Sequence, residues 1–376
     1  MTLPSGGRIM MTTDAVGGVW VYATDLARGL CARGHEVVLV TMGPAPSADQ
    51  LQTLRGVRGL SVEITDLALE WMDPDGEDWR ARDVLLGTAA QFRPDVVHLN
   101  TYREAAFPWP APVLVVAHSC VWSWWQACRG SLPDEPHWLH YASAVAAGLQ
   151  GADVWAAPTR AFAAAVSERY RPQTPGRTIH NGVDLPPSIV RKEPFILSAG
   201  RLWDEGKNLA ALAGIAAELE WPVRTAGPLQ EPGRGLGPRL DRVAYLGVLP
   251  HADLVREMQR ASIFVSPALY EPFGLSVLEA AACGCALVLS DIPSFRELWS
   301  GAALFVDPRD RQALAGALHR LSGDDTLRAR MQQTARRRAR RYRLAAMIDA
   351  YEEMYDRLMR PTATHARSTS SAECPA

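Results

Sequence analysis

The chain has 376 residues, which is more than a single hydrophobic core usually serves, so we expect two domains. With 48% hydrophobic residues and a formal net charge of -2, it has the composition of an ordinary soluble globular protein. The 39 basic and 41 acidic residues nearly balance, and no apolar run reaches about 18 residues, which argues against a nucleic-acid-binding surface and against a membrane span.

The chain start and the spacing of apolar segments indicate the location and the fold class. The first residues, MTLPSGGRIMM, lack the long apolar segment of a secretory signal, so we expect a cytoplasmic protein. Apolar runs of strand type then alternate with amphipathic segments, first at 8–12, 36–41, 96–100, 113–118 and 154–158, and later at 195–200, 223–227, 243–247, 262–267, 286–291 and 303–306. Such alternation predicts an α/β fold of two doubly wound parallel-sheet domains facing a central cleft.

A Pro-rich stretch without apolar periodicity, 184–194, separates the two series and predicts the domain linker. We therefore expect one domain over residues 1–188 and a second over residues 189–343. Apolar residues at three- and four-residue spacing then predict an amphipathic terminal helix, assigned to 344–360. The Ser/Thr/Ala-rich end of the chain, 361–376, is expected to be disordered.

Two features of the first domain have both a structural and a functional interpretation. After the first strand, Gly17 and Gly18 allow a ligand to approach the backbone closely, or form only a tight turn. No G-x-G-x-x-G motif is present, so a nicotinamide cofactor is not indicated. His118 ends the run 113–118 at the cleft edge, where a lone histidine is more often a structural hydrogen-bonding residue than a ligand.

Two cations follow the first strand of the second series. Arg201 lies at the carboxyl end of that strand, and Lys207 opens a helix six positions later, after a glycine-containing loop. Such a pair can bind a diphosphate together with helix amides, with no metal required. On these residues alone, an ion-pair cluster with Asp204 and Glu205 is an equally good interpretation.

Two glutamates, Glu271 and Glu279, stand eight positions apart in the segment EPFGLSVLE. The segment follows a short apolar run and leads into good helix formers, so the order is strand, turn and helix. In an open α/β sheet such a junction lies at the carboxyl edge, where ligands bind and helix N–H groups meet anions. The two carboxylates then hold separate points of one elongated ligand, or else are solvated surface residues.

Other segments favour structural interpretations. Asp73-Pro74-Asp75 imitates an Asp-x-Asp metal motif, but it has no strand directly before it, so a solvated acidic loop is favoured over a metal site. The six cysteines show no zinc-type spacing, and reduced thiols are expected. The arginine-rich run 336–341 is expected to be a solvated helix face rather than a weak peripheral contact with anionic lipid.

Taken together, these motifs resemble family 4 glycosyltransferases over nearly the whole chain. The resemblance is carried by four segments: Asp14-Ala-Val-Gly17-Gly18, Asn181-Gly182-Val183-Asp184, Gly200-Arg201 with Lys207-Asn208, and Glu271-Pro-Phe-Gly-Leu with Glu279. It implies the GT-B fold of two Rossmann-like domains, the first for the acceptor and the second for the donor, with a terminal helix that crosses back to the first. It also implies transfer of a hexose from a nucleoside diphosphate sugar, such as a UDP- or GDP-sugar, with retention of anomeric configuration.

The resemblance also implies a role for each matching residue. The side chains assigned to the reaction and the donor are one histidine, two cations and two glutamates: His118, Arg201, Lys207, Glu271 and Glu279. The cations would bind the diphosphate, Glu279 the ribose, and Glu271 and His118 the transferred sugar. Further donor contacts, by backbone or apolar groups, are expected from Gly17, Gly18, Val248, Phe273, Gly274 and Leu275.

No protein nucleophile is evident, so the resemblance implies a front-face substitution in which a phosphate oxygen of the leaving group accepts the proton of the acceptor hydroxyl. No metal or other cofactor is expected, because the protein would act by positioning the substrates and stabilising the departing diphosphate. Two alternatives use the same two-domain plan: a nucleotide-sugar epimerase or hydrolase, and a non-catalytic nucleotide-sugar-binding protein.

Nine of the twelve tryptophans fall in the first predicted domain, and Trp122, Trp124 and Trp125 closely follow His118. Because aromatic faces suit the apolar faces of sugars and aromatic aglycones, we hypothesise that these three bind the acceptor, with core packing as the alternative. The acceptor class stays open among a sugar, an aromatic aglycone and a lipid-linked glycan. On this hypothesis, replacing Trp124 or Trp125 with Ala raises the acceptor KM and leaves donor affinity unchanged.

Overall fold

The computed structural model describes residues 6–72, 78–186, 190–230, 240 and 242–360. The acidic motif Asp73-Pro74-Asp75 and the predicted tail 361–376 lie outside these residues, as does the central part of the predicted linker. The described chain forms two parallel sheets, each covered by helices, so the predicted fold class is confirmed.

The first sheet has seven parallel strands in the order β3-β2-β1-β4-β5-β6-β7. These strands are β1 (Arg8–Asp14), β2 (Glu36–Met42), β3 (Leu60–Ile64), β4 (Val96–Leu99), β5 (Val113–Val116), β6 (Val154–Ala157) and β7 (Arg177–Thr178). Its helices are α1 (Gly18–Ala32), α2 (Ala48–Gln52), α3 (Asp78–Phe92), α4 (Val121–Arg129), α5 (Pro136–Gly151) and α6 (Arg160–Tyr170). Strand β4 is buried along its whole length, which explains its continuous apolar character, since helices cover both faces of a parallel sheet.

The second sheet has six parallel strands in the order β10-β9-β8-β11-β12-β13. These strands are β8 (Glu193–Ala199), β9 (Val223–Ala226), β10 (Val243–Tyr245), β11 (Ala261–Ser266), β12 (Ala286–Ser290) and β13 (Leu304–Val306). The helices that follow them in the chain are α7 (Leu209–Ile215), α8 (His251–Arg260), α9 (Leu275–Ala282), α10 (Pro293–Trp299), α11 (Arg311–Gly323), α12 (Asp325–Ala339) and α13 (Leu344–Met359). Among the helices of the described part, none combines the length and the apolar character needed to cross a bilayer.

All eleven apolar runs predicted as strands form strands in the structure. Two further strands were missed: β3, whose residues are mostly half-buried or exposed at the sheet edge, and β7, which has only two residues. Strand β5 ends at Val116, so His118 lies two residues beyond the strand and not at its last position. The five cysteines in the described part are free thiols, as expected.

Helix α13 returns from the second sheet and packs against α1 and β4 of the first. Its inner face contributes Met347, Ile348, Tyr351, Met354 and Tyr355 to a core cluster that also contains residues of α1 and β1. Both tyrosine side chains are fully buried in this position. The spacing that predicted an amphipathic helix therefore arises from packing against the opposite half of the molecule.

The chain crosses between the two halves twice at one place. Val183, before the predicted linker, pairs with Arg343, just before α13. The Val183 N–H donates to the Tyr342 carbonyl oxygen at 3.2 Å, and the Leu344 N–H donates to the Val183 carbonyl oxygen at 3.1 Å. A Cβ added at Gly182 would lie 2.5 Å from the Arg343 carbonyl oxygen and 2.8 Å from Leu344 Cα. The crossing therefore requires glycine at position 182, because the neighbouring atoms belong to the backbone.

We expect Gly182→Ala to lower the free energy of unfolding by about 2 kcal/mol or more, because the added methyl group forces the two crossing segments apart. The matched control is Gly316→Ala on α11, where an added Cβ meets no atom within 4 Å and should stabilise the helix by up to about 1 kcal/mol. Thermal unfolding of both variants measures the difference. Equal stability of the two variants would contradict the close approach of Gly182 to the backbone of Arg343 and Leu344.

Candidate active site

The predicted donor residues of the second half meet the glycine loop of the first half. Arg201 follows β8, Leu275 begins α9, and the glycine loop follows β1, so all three stand at carboxyl ends of strands. The Arg201 Nη1 atom lies 3.5 Å from the Val16 carbonyl oxygen, and a Cβ added at Gly17 would lie 3.4 Å from the same nitrogen. A Cβ added at Gly18 would lie 3.5 Å from Leu275 Cδ1.

Both helices at this meeting point begin after a glycine with positive φ. Gly17 has a φ of 97° and precedes α1, and Gly274 has a φ of 86° and precedes α9. A Cβ at Gly274 would also lie 3.0 Å from Phe295 Cε1 and 3.3 Å from Glu271 Cγ. Two helix N-termini, each with free backbone N–H groups, therefore lie in the region of Arg201, and both favour a bound anion.

Arg201 forms the ion pair with Asp204 that the sequence offered as an alternative to a phosphate site. The Arg201 Nη2 atom donates to Asp204 Oδ2 at 2.8 Å, and the side chain of Asp204 is almost fully buried. Burial acts against the charged form of Asp204, but neighbouring Arg201 and then Lys207 outweigh it and lower the pKa of the carboxyl. The Nε–H of Arg201 is buried and has no hydrogen-bond partner within the described residues, so the guanidinium retains donor capacity.

Lys207 contacts Glu271 and not the neighbouring acidic residue Glu205. The Lys207 Nζ atom lies 2.5 Å from Glu271 Oε2, and both side chains are largely buried. Glu205 instead lies 3.6 Å from the Arg129 guanidinium of α4. The structure therefore brings Lys207, which is predicted to bind the diphosphate, into contact with Glu271, which is predicted to bind the transferred sugar.

The surroundings of two predicted donor contacts, Phe273 and Val248, differ. The Phe273 ring is 4% exposed and packs in the core of the second half beside Tyr342 and His180, so only its backbone is available to a ligand. The Val248 side chain is 69% exposed and follows Gly247 in the loop before α8. A donor contact through the backbone of this loop stays a prediction.

Glu279 lies in a cluster of charged residues that the sequence did not reveal. The His251 Nε2 atom lies 2.6 Å from Glu279 Oε1, and this hydrogen bond is the main cause of a raised His251 pKa. Asp25 of α1, in the other half, faces the same cluster, and burial raises its pKa to about 6. His251 and Arg28 oppose this rise, whereas Glu279 and Asp184 add to it. Glu279, which is predicted to bind the ribose, thus lies at the junction of the two halves.

His118 is held by a chain of hydrogen bonds at the carboxyl edge of the first sheet. Its Nε2 atom lies 2.8 Å from Asn100 Oδ1, and the Asn100 amide donates to the Thr12 carbonyl oxygen at 2.7 Å. Because Asn100 Oδ1 is the acceptor in this arrangement, we assign the His118 proton to Nε2, which leaves Nδ1 as an acceptor. Burial lowers the His118 pKa to about 3, so the ring is neutral and too weakly basic to take a hydroxyl proton at neutral pH.

The three tryptophans of α4 have different surroundings, and the acceptor hypothesis does not fit all of them. Trp122 is 4% exposed, belongs to a core cluster, and has the Arg169 guanidinium 3.5 Å from its ring centroid. Trp125 packs against Trp138 and Arg129. Trp124 donates from Nε1 to Asp204 Oδ1 at 2.9 Å, so its polar edge faces the second half and not an acceptor.

Further hydrogen bonds join the two halves beside the segment that carries Glu271. The Tyr270 hydroxyl accepts from Cys120 N at 3.1 Å, and the Thr159 hydroxyl donates to the Pro272 carbonyl oxygen at 2.9 Å. The Glu297 carboxylate of α10 accepts from Arg160 N at 3.0 Å and from Ala161 N at 2.8 Å at the start of α6. Sequence reasoning missed these residues, since partners more than 100 positions apart leave no local pattern.

Comparison with known proteins places these features in a family. The model described as Glycosyltransferase Family 4 matches residues 16–186, and the model described as Glycosyl transferases group 1 matches residues 236–338. A glycogen synthase of Mycobacterium tuberculosis is 28% identical over 86% of each chain. A sucrose-phosphate synthase of Thermosynechococcus elongatus has a TM-score of 0.77 at 19% identity, over 94% of this chain and 99% of that chain. Anabaena HepE, solved in complex with UDP-glucose, has a TM-score of 0.70 at 18% identity, over 93% of this chain and 100% of that one.

The raised pKa of Asp25 predicts a pH-dependent cost in stability. The folded-state value of about 6 exceeds the usual 3.8, so the cost is absent well below pH 4 and fully present above about pH 6. We expect Asp25→Asn to raise the apparent Tm by about 2 °C or more at pH 7.5, and this gain to shrink at pH 5. Asp83→Asn, at an exposed position of α3, is the control for loss of a carboxylate. A gain that is the same at both pH values would refute this assignment.

Proposed function

Because this chain belongs to the family 4 glycosyltransferases and has the GT-B fold, we propose that it transfers a hexose from a nucleoside diphosphate sugar to an acceptor hydroxyl, with retention of configuration. The observation that supports this proposal is the convergence of cations and helix N-termini between the two halves. Arg201 lies against Gly17 at the start of α1, and Leu275 at the start of α9 lies against Gly18. Two adjacent phosphates match such a set of donors.

We propose that the donor lies between the two halves, with each of its parts contacting different residues. The diphosphate would contact Arg201 and Lys207, the ribose hydroxyls would contact Glu279, and the transferred sugar would extend toward Glu271 and His118. Glu271 binds Lys207 through Oε2, so its other oxygen is the one proposed to accept from a sugar hydroxyl. The neutral His118, with Nδ1 as an acceptor, would orient the same sugar without acting as a base.

In the proposed reaction, the bond from the anomeric carbon to the phosphate oxygen breaks, and a bond from that carbon to the acceptor oxygen forms on the same face. The acceptor proton passes to the departing phosphate oxygen. Arg201, Lys207 and the helix amides would stabilise the negative charge that develops on the leaving diphosphate, so we propose that the reaction is independent of a metal ion.

We propose the donor and the acceptor by chemical class. A UDP- or GDP-sugar is the proposed donor, and the relative solved with UDP-glucose supports the uridine nucleotide as the first candidate. The acceptor is proposed to be a sugar, an aromatic aglycone or a lipid-linked glycan. The cytoplasmic location and any lipid contact through 336–341 stay predictions.

Incubation with UDP-, GDP- and ADP-sugars and a panel of acceptors tests the function. We expect nucleoside diphosphate release that depends on the acceptor, yields a product with the donor's anomeric configuration, and persists in excess EDTA. Release without an acceptor would indicate a hydrolase, and sugar conversion without release would indicate an epimerase. Loss of transfer in EDTA, restored by a divalent cation, would contradict the proposed role of the two cations.

The two glutamates should differ in their effects because they contact different parts of the donor. We expect Glu271→Ala to lower kcat by about 100-fold while nucleoside diphosphate affinity falls by less than about threefold, since this change removes a sugar contact and leaves the Lys207 cation in place. Glu279→Ala should weaken nucleoside diphosphate binding by about tenfold, since it removes a ribose contact.

Glu168→Ala, at an exposed position of α6, is the matched control for loss of the helix glutamate Glu279, and it controls for loss of a carboxylate in the Glu271 experiment. Titration calorimetry with the nucleoside diphosphate and steady-state kinetics separate the two effects. Equal losses of nucleotide affinity in the Glu271 and Glu279 variants would rule out this division of roles.

A further inference from the structure

Helix α4 of the first half contacts the loop that carries the predicted diphosphate ligands in the second half. Three side-chain contacts join the two elements and their surroundings. Trp124 Nε1 donates to Asp204 Oδ1 at 2.9 Å, and the Arg129 guanidinium lies 3.6 Å from Glu205. Close by, Arg309 of the second half donates to the carbonyl oxygen of Ala127 in α4 at 2.9 Å. The loop is therefore held from across the interface and not only by its own half.

The Asp204 carboxylate connects Trp124 to Arg201. Its Oδ1 atom accepts from Trp124 Nε1 at 2.9 Å and from Gly206 N at 2.8 Å, while Oδ2 accepts from Arg201 Nη2 at 2.8 Å. Asp204 is 7% exposed, so solvent does not provide substitute donors for most of its surface. A buried carboxylate held by three N–H groups has one orientation, and Arg201 takes its own orientation from it.

Gly206 is the position that allows Trp124 to come this close. A Cβ added there would lie 2.8 Å from Trp124 Nε1 and 3.0 Å from Asp204 Oδ1, which are the two atoms of the hydrogen bond. The Gly206 carbonyl oxygen accepts from Leu269 N at 2.8 Å and from Tyr270 N at 3.2 Å, so the loop is not free to move away. A side chain at position 206 would therefore act on the Trp124–Asp204 contact.

We propose that Trp124 is a positioning residue for Arg201. Its indole N–H orients Asp204, and Asp204 orients the Arg201 guanidinium toward the donor diphosphate. Trp124 and Asp204 belong to different halves, so Arg201 is fully aligned only in the arrangement of the halves seen here. The inference rests on the proposed function, because it takes Arg201 to be a diphosphate ligand. It also replaces the hypothesis that Trp124 binds the acceptor.

The first test is Trp124→Phe, which keeps an aromatic ring and removes the indole N–H. The probes are UDP, GDP and ADP, with affinity measured by calorimetry for the one that the unaltered protein binds most tightly. We expect diphosphate affinity to fall about tenfold, in line with the loss of one hydrogen bond to a buried charge, and the acceptor KM to stay within twofold. Trp138→Phe is the control, since Trp138 belongs to the same aromatic cluster on α5.

A double-mutant cycle shows whether Trp124 acts through Arg201. Arg201→Ala alone should weaken diphosphate binding, and adding Trp124→Phe to that variant should cause no further loss. Additive losses, or a raised acceptor KM with unchanged diphosphate affinity, would overturn the positioning role while leaving the proposed function standing. Unchanged affinity in Arg201→Ala would overturn the donor assignment itself, and with it this inference.

A second variant keeps the test decisive if Trp124→Phe does not fold. Gly206→Ala retains Trp124 and forces its indole away from Asp204, so the same tenfold loss of diphosphate affinity is expected. Gly316→Ala, on the surface of α11, controls for an added methyl group. Normal diphosphate affinity in a folded Gly206→Ala protein would contradict the proposal.

Discussion

The candidate site depends on one close approach, that of the backbone after β1 to the Arg201 side chain. Gly17 and Gly18 leave room for Arg201 on one side and Leu275 on the other, so that the start of α1 lies against both this cation and the start of α9. Helix N-termini and guanidinium groups both favour negative charge, and their effects reinforce each other where water is excluded. Neither half of the molecule holds this set of groups alone. The proposed anion site is therefore a property of the interface between the two sheets.

Several contacts keep the two sheets in the arrangement that the site needs. Helix α13 buries Tyr351 and Tyr355 in the core beside the first sheet, although the chain enters it directly from the second half. The backbone N–H groups at the start of α6 donate to the Glu297 carboxylate, so the opposite half of the molecule satisfies this helix N-terminus. The hydrogen bond from Trp124 to Asp204 is another contact between the halves, and it lies within the candidate site. Contacts that hold the halves together therefore lie beside the candidate site. As a result, the pKa values of the carboxyl groups of Asp25 and Asp204 depend on residues from both halves.

Sequence reasoning predicted the parts of this account that have local signals. Parallel strands buried on both faces produce continuous apolar runs, so the central strands were predicted, and short apolar runs also marked the edge strands β10 and β13. Strand β3 lies at an edge with mixed exposure and was missed. The cations, glutamates and glycines were predicted from spacing and from the family resemblance. Trp122, Trp124 and Trp125 look alike in the sequence, but helix geometry turns successive residues by about 100°, so they meet a core, an aspartate and an arginine respectively. Contacts such as Thr159 with Pro272 join residues 113 positions apart, and no periodicity reports them.

We propose that one diphosphate is bound by both halves at once. Hydrogen–deuterium exchange measured with and without the tightest-binding nucleoside diphosphate tests it most directly, because each half is monitored by its own peptides. We expect slower exchange both in peptides covering 14–20, which include the glycine loop and the start of α1, and in peptides covering 200–208 and 271–279. Protection confined to the second half, with the 14–20 peptides unchanged, would contradict it.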